Sequence, residues 1–251
     1  MKATIQHKSH SYNIDLKRPI DISIPLCAGA HNVNAWWAGP VKIDPVRMGD
    51  FVGDVNQGGS VNFRNVFLNP HGNGTHTECV GHISKEPFTI NQSLKTFFFL
   101  AQVITLKPTI IENGDAVILK EQLQKLSLNA DCDALIIRTL PNGMDKLQKQ
   151  YSGTNFPYVD KDAMHYIVDQ NIQHFLIDLP SVDRERDEGK LQAHHVFWNY
   201  PENARTTATI TEMIYVADEI VDGIYFLNLQ ITALENDASP SKPVLYKIDV
   251  Q

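Results

Sequence analysis

Three imidazoles, a carboxylate and a thiol fall within twelve positions, His71-Gly72-Asn73-Gly74-Thr75-His76-Thr77-Glu78-Cys79-Val80-Gly81-His82, a segment that also carries three glycines. Histidines clustered with Asp or Glu at short intervals are what a divalent cation needs to gather several ligands. In an extended chain successive side chains alternate faces, so His76, Glu78 and His82 share one face and Cys79 takes the other. A metal held by His76 and Glu78 could carry an activated water while His82 moves its proton. The glycines let backbone and substrate approach closely.

The same residues admit other readings. Thr75-His-Thr-Glu78 fits a helix capping box, and the histidines could be ordinary polar residues of a glycine-rich turn. Cys79 could be a nucleophile with His82 as its base, although opposite faces favour a thiol packed in the core. A metal needs further ligands, and the best places to look are Asp178-Leu-Pro-Ser181-Val-Asp183, followed by Ala193-His194-His195, and the carboxylate of Thr209-Ile-Thr-Glu212, itself a second capping-box pattern.

The elements that must position these groups are short apolar, β-branched runs. They lie at Pro19–Pro25, Val61–Leu68, Phe97–Leu106, Ala134–Thr139, His174–Asp178, Ala208–Val216, Ile224–Ile231 and Val244–Ile248. Helical patterns at Lys120–Leu126 and Lys161–Asn171 each precede an apolar strand. The layout predicts an α/β fold with a mixed sheet, in a single domain spanning 1–251. Asp237-Ala-Ser-Pro240-Ser-Lys-Pro243 reads as the turn of a closing β-hairpin, and Asn142–Pro157 as a long surface loop with a short helical piece.

At 251 residues and 43% hydrophobic content the chain can bury a full core. Its formal charge of -7 is scattered and no Lys/Arg cluster could track a phosphate backbone, which argues against nucleic acid. The amino terminus lacks the apolar run of about 7 to 15 residues of a signal peptide, and no stretch approaches the about 18 apolar residues of a membrane span. Three widely spaced cysteines (Cys27, Cys79, Cys132) fit a reducing compartment, so a cytoplasmic location without membrane association is expected.

Gly74-Thr75-His76 followed by Glu78 and by Cys79-Val80-Gly81-His82 resembles the His-x-Gly-Thr-His-x-Asp-x-Pro-x-His signature of the Putative cyclase family, which includes kynurenine formamidase and isatin hydrolase. Asp21-Ile-Ser23, Ala134–Thr139, Asp178–Asp183, Ala193-His194 and Thr209–Glu212 resemble further family segments in the same order. The resemblance implies a swivelling β/β/α (cyclase-like) fold and a metal-dependent hydrolase that opens amide bonds of N-formyl or cyclic aryl substrates, an arylformamidase-type role suited to tryptophan catabolism. It implies His76 and Glu78 as ligands, with Glu78 in the place of an aspartate that can bridge two ions, His194 and Glu212 as ligands of the second ion, and His82 as the proton-transfer residue. Zinc or manganese would be the metal, an aryl amide the substrate, and a homodimer or homotetramer the assembly.

This chain departs from the signature in three ways. The first histidine of the signature is Gly72 here, and His71, one place earlier, would face away on a regular strand unless Gly72–Gly74 formed a bulge. Glu78 is one methylene longer than aspartate, and Val80 replaces the proline. An insertion around Asn199–Arg205 also lets His195 compete with His194. Trp36 and Trp37 could stack on an aryl substrate or pack at a subunit contact. Two alternatives accompany the hydrolase: a degenerate homologue that binds a small ligand without turnover, and a metal-free catalyst with Glu78 as base and His82 as acid.

Overall fold

The structure, a computed structural model, describes residues 1–250. Its main sheet has ten strands: β1 (Lys2–His7), β2 (His10–Asp15), β3 (Ile20–Asp21), β4 (His76–Glu78), β5 (Phe98–Leu106), β6 (Ala134–Thr139), β7 (His174–Ile177), β8 (Thr209–Glu212), β9 (Gly223–Ile231) and β10 (Ala238–Val250). Strands β5, β6, β7 and β8 are parallel neighbours in that order. Antiparallel β9 pairs with β5, β10 with β9, and β4 with both β8 and β10. The path β4–β10–β9–β5–β6–β7–β8 therefore returns to β4 and closes a seven-stranded barrel, and closure removes the exposed edges of those strands.

Helices α1 (Lys120–Gln124), α2 (Lys161–Asp169) and α3 (Gln192–Trp198) cover the parallel strands, giving the mixed-sheet α/β class expected. All six residues of β6 are buried, which is why its sequence reads as a continuous apolar run. Period-two alternation divides it between two cores. Leu135 and Ile137 join Leu123, Met164, Ile167 and Phe197 of the helices, whereas Ala134 and Ile136 join Val103, Leu176, Leu227 and Leu245. Among the described residues no helix is long and apolar enough to cross a membrane.

Several expectations are corrected. The final hairpin turns at residues 232–237, and Asp237–Pro243, read as the turn, is mostly strand. Proline is tolerated at 243 because the pair Leu229–Pro243 exchanges no hydrogen bonds; the Leu229 N–H goes instead to Phe97 O. Of Pro19–Pro25 only Ile20–Asp21 is strand, and of Ala208–Val216 only Thr209–Glu212, which ends at Met213 in the left-handed region (φ 51°). Both capping-box patterns lie in strands, β4 and β8. The stretch 142–157 has its short helical turn at Met144–Leu147 but is anchored inward, since buried Lys146 donates to Thr139 O (2.6 Å) and to Asp178 Oδ2 (2.7 Å).

The histidine-rich segment is not uniformly extended. Residues 69–73 form a tight turn in which the N–H groups of Gly72 and Asn73 donate to Asn69 O, β4 spans only three residues, and Val80–His82 is a 3-10 turn. Gly72 sits against the 35–38 loop: a Cβ there would lie 2.4 Å from Ala38 Cβ and 3.1 Å from Ala35 O. No side chain fits at 72 without displacing that loop.

Two stability predictions follow from this packing. Gly72→Ala inserts a methyl into filled space and should lower unfolding free energy by about 1–3 kcal/mol in urea titrations; an unchanged midpoint would contradict the packing. His174, buried on β7 with its ring against Phe99, is pushed down to about 4 by burial and, secondarily, by the Arg205 guanidinium. Its unfolded form binds a proton first, so its contribution is present above about pH 6.5 and is lost as pH falls toward about 4. From about pH 7.5 to about pH 5 the wild type should lose about 2 kcal/mol more stability than His174→Gln; equal losses would refute the assignment.

Candidate active site

Strand β4 is the wedge that closes the barrel, and its register fixes the site. His76 lies opposite Glu212 of β8 and Pro240 of β10, and Glu78 opposite Ile210 and Ala238. His76 and Glu78 therefore face the same way, two places apart, toward Glu212. The 3-10 turn after β4 returns His82 to the same region, with its Nδ1 3.9 Å from Glu78 Oε2. Helix α3 supplies His194, whose Nε2 is 3.0 Å from Glu78 Oε1 and 3.9 Å from Glu212 Oε1.

His71 also arrives. Because 69–73 is a turn rather than a strand, the parity that would point it away does not operate, and its Nδ1 lies 3.1 Å from Glu78 Oε2. No bulge is needed. The sequence-predicted residues His71, His76, Glu78, His82, His194 and Glu212 thus converge. His195 does not: its Nδ1 lies 3.1 Å from Tyr200 O, to which it donates. Asp178 is taken by Lys146 and Thr139. Cys79 faces the core, its thiol pushed up by burial, which suits packing rather than nucleophilic chemistry. Trp36 and Trp37 stand in the loop whose Ala35 N–H donates to Gly72 O; Trp36 meets Phe156 edge-on and Trp37 is 65% exposed.

Each of three histidines has one ring nitrogen held by an outer acceptor and the other turned inward. His76 Nδ1 donates to Gly74 O (3.0 Å), which leaves Nε2 as a bare lone pair 3.4 Å from Glu212 Oε2. His194 Nδ1 meets Asp183 Oδ2 at 2.6 Å, and Asp183 also accepts the Ala193 and His194 N–H groups that begin α3. His71 Nε2 meets Asp237 Oδ2 at 2.8 Å. An outer acceptor on a histidine fixes its tautomer and raises its basicity, the arrangement found behind metal-bound imidazoles.

Two buried atoms at the centre, His76 Nε2 and Glu78 Oε2, have no hydrogen-bond partner. Glu78 Oε2 lies near His71 Nδ1 without the angle of a hydrogen bond. Buried polar atoms left unpaired are costly, and a cation between them satisfies both. Donor atoms of His71, His76 and Glu78 lie within 4.8 Å of one another, as do those of Glu78, His82 and His194 and those of His71, His82 and Asp237. A donor set of imidazoles and carboxylates suits a divalent transition metal, and Glu78 belongs to two of these groups.

The protonation balance says the same. His71 is raised to about 10: burial opposes the charge, but the hydrogen bond with Asp237 and the neighbouring Glu78 carboxylate outweigh it. His194 is raised for like reasons by Asp183 and Glu78. Glu78 stays ionised well below the usual carboxylate range despite complete burial, held by the surrounding histidines. Among the described residues, the groups that can bring positive charge to Glu78 within 4 Å are the imidazoles of His71, His82 and His194.

Asp237 is the residue that sequence reading missed. It looked like part of a turn, and its only signal was its place just before the strand that pairs with β4.

Known proteins match over most of the chain. Kynurenine formamidase of Bacillus anthracis is 26% identical over 231 residues, covering 91% of this chain and 97% of that protein; that of Bacillus cereus matches to the same extent. Isatin hydrolase A from Ralstonia solanacearum superposes with a TM-score of 0.66 at 15% identity, covering 91% of each chain, and a predicted metal-dependent hydrolase from Bacillus stearothermophilus with 0.65 at 18%, covering 91% of this chain and 98% of that one. These structures share the fold. The family model named Putative cyclase matches residues 14–184, the greater part of the sequence and the part that carries the histidine turn, β4 and Asp183, and the chain belongs to that family.

Proposed function

We propose that this chain is a metal-dependent hydrolase that cleaves a carbon–nitrogen amide bond of a small N-formyl or cyclic aryl amide. The observation that carries the reading is the pair of unpartnered buried atoms, His76 Nε2 and Glu78 Oε2, surrounded by inward-turned imidazole nitrogens. The kynurenine formamidase relatives support the amide as substrate class. The convergence of His71 supports the hydrolase over a degenerate binder, because an imidazole from 71 reaches Glu78 although position 72 is glycine.

In this reading His71, His76 and Glu78 would hold one divalent ion, zinc or manganese, and His194 and Glu212, beside Glu78, would hold a second. Such ions supply a Lewis acid for the scissile carbonyl and bring the pKa of water from about 15.7 to about 7. His82, at the partly open rim of the cluster, takes the proton of the attacking water and gives it to the departing nitrogen. The products are a carboxylic acid and an amine, or a single ring-opened amino acid where the amide is cyclic. Glu212 is steadied by the Val182 N–H, which donates to its Oε1 at 3.0 Å. Trp36 and Trp37 lie one loop away, where their faces would stack on an aryl group. The exposed Trp37 and Phe98 would serve equally at contacts of a homo-oligomer.

The deciding experiment is metal analysis combined with hydrolysis of N-formylkynurenine and a panel of aryl lactams. Chelation should abolish turnover, and zinc or manganese should restore it. Absence of turnover with every metal tried would sink the reading, and turnover that survives complete removal of metal would favour Glu78 and His82 acting alone. The two classes of site residue should also separate. His76→Ala should lose bound metal and activity together, whereas His82→Ala should keep its metal and lose about 10²–10⁴ in kcat. Full activity in His82→Ala would remove it from the proton path.

A further inference from the structure

The first histidine stands at 71, one place before the position the family signature gives it, and the structure shows what holds its imidazole. Asp237 Oδ2 lies 2.8 Å from His71 Nε2 and 3.2 Å from His82 Nδ1, so one carboxylate oxygen accepts from both rings, using its two lone pairs. The two rings lie close, 4.3 Å between centroids and 31° between planes. The remaining nitrogens are thereby assigned: Nδ1 of His71 is the inward atom, 3.1 Å from Glu78 Oε2, and Nε2 of His82 is left for another partner.

The backbone keeps Asp237 in place independently of any ligand. The Cys79 N–H donates to Asp237 O at 3.0 Å, and the next residue, Ala238, pairs with Glu78. The carboxylate is therefore delivered by the β4–β10 pairing that closes the barrel. It lies half-buried, where an ionised oxygen and two imidazole N–H donors attract each other more strongly than in open water. Asp183 backs His194 in the same way from the other side of Glu78.

We infer that Asp237 is a positioning residue for the metal centre: it fixes the tautomer and aim of His71, making that histidine a competent substitute for the one absent at 72, and orients His82 through the same oxygen. This inference rests on the metal-hydrolase reading and concerns how this chain achieves it. Asp237 acts through His71; it is not itself counted among the ligands.

The test is a cycle of variants read by metal affinity rather than by turnover. Zinc affinity would be measured by chelator competition, and geometry by the visible absorption of the cobalt(II)-loaded protein, for the wild type, Asp237→Asn, His71→Ala, the double variant and His76→Ala. Thermal unfolding of the metal-free forms would serve as a folding check. Asp237→Asn should weaken zinc binding about 10–100-fold and alter the cobalt spectrum, a cost typical of removing an outer partner of a ligating histidine. In the His71→Ala background the same substitution should add almost nothing.

An undiminished affinity and spectrum in Asp237→Asn, with His76→Ala losing metal, would overturn the inference and leave the site reading intact. A full additional loss in the His71→Ala background would also overturn it, by showing that Asp237 binds the ion directly. If His76→Ala and His71→Ala both bound zinc as the wild type does, the site reading itself would fail, an outcome distinct from the other two. Should Asp237→Asn not fold, Asp237→Glu provides the same cycle, with partial recovery of affinity expected because it keeps the charge.

Discussion

Glu78 is a carboxylate with no exposure to water, placed on the strand that closes a barrel. Transferring such a charge out of water costs several kcal/mol even after relaxation, and only opposite charge and hydrogen-bond donors close at hand can offset that cost. Around it stand His71, His82 and His194, each within 4 Å of one of its oxygens. A shell that must stabilise Glu78 by protonated imidazoles alone also holds those imidazoles against burial. A divalent cation would do the same with two charges on one small ion and would leave the rings neutral as donors. The arrangement is thus poised between two ways of balancing one buried anion, and the unpartnered His76 Nε2 distinguishes them, since a proton shared among the other rings does nothing for it.

Barrel closure and site assembly are the same event. Only three residues of β4 pair, but they pair on both sides, with β8 carrying Glu212 and with β10, which Asp237 immediately precedes. A slip of one residue in either register would turn His76 and Glu78 toward the other face and leave a carboxylate in apolar surroundings. The electrostatics of the centre and the hydrogen bonding of the barrel therefore specify one another. This explains why so short a strand can be tolerated as a closing element: its side chains contribute as much order as its ladder. The 3-10 turn that follows extends the same logic, bringing His82 back to Glu78 four residues on.

What could be read from the sequence were the features that depend on local period. The β6 run, buried on both faces, announced a central parallel strand; the alternation His76–Thr77–Glu78 announced a shared face and survives in β4. His194-His195 and Glu212 stand out as further donors, but which of them reaches Glu78 is not legible locally, because helix α3 and strand β8 meet β4 across more than a hundred residues. Three features escaped for physical reasons. Turn chemistry at Asp237–Pro243 was overridden by pairing to two partners, which accepts proline wherever no N–H is required. The amino-terminal hairpin has the alternation of an edge ribbon with little apolar content, and its pattern carried no reading. Asp237 has no local signature at all, since its role exists only once β10 lies beside β4.

The position of His71 shows why local parity fails at such sites. On a strand, a displacement of one residue rotates a side chain to the opposite face, and the ligand would be lost. At 69–73 the backbone bonds back on Asn69, so neighbouring side chains are related by a turn rather than by a pleat, and a one-place shift costs an angular change that an outer carboxylate can correct. Position 72 cannot carry the histidine in this chain because the 35–38 loop fills the space above it. The tight seat of Gly72, the histidine at 71 and the aspartate at 237 are then three parts of one solution. The loop that bears Trp36 and Trp37 packs onto the turn that presents His71, so changes in the one must be accommodated by the other. Loop and ligand are mechanically coupled, and Asp237, anchored by the barrel rather than by either, is what keeps the imidazole aimed while the loop is free to vary.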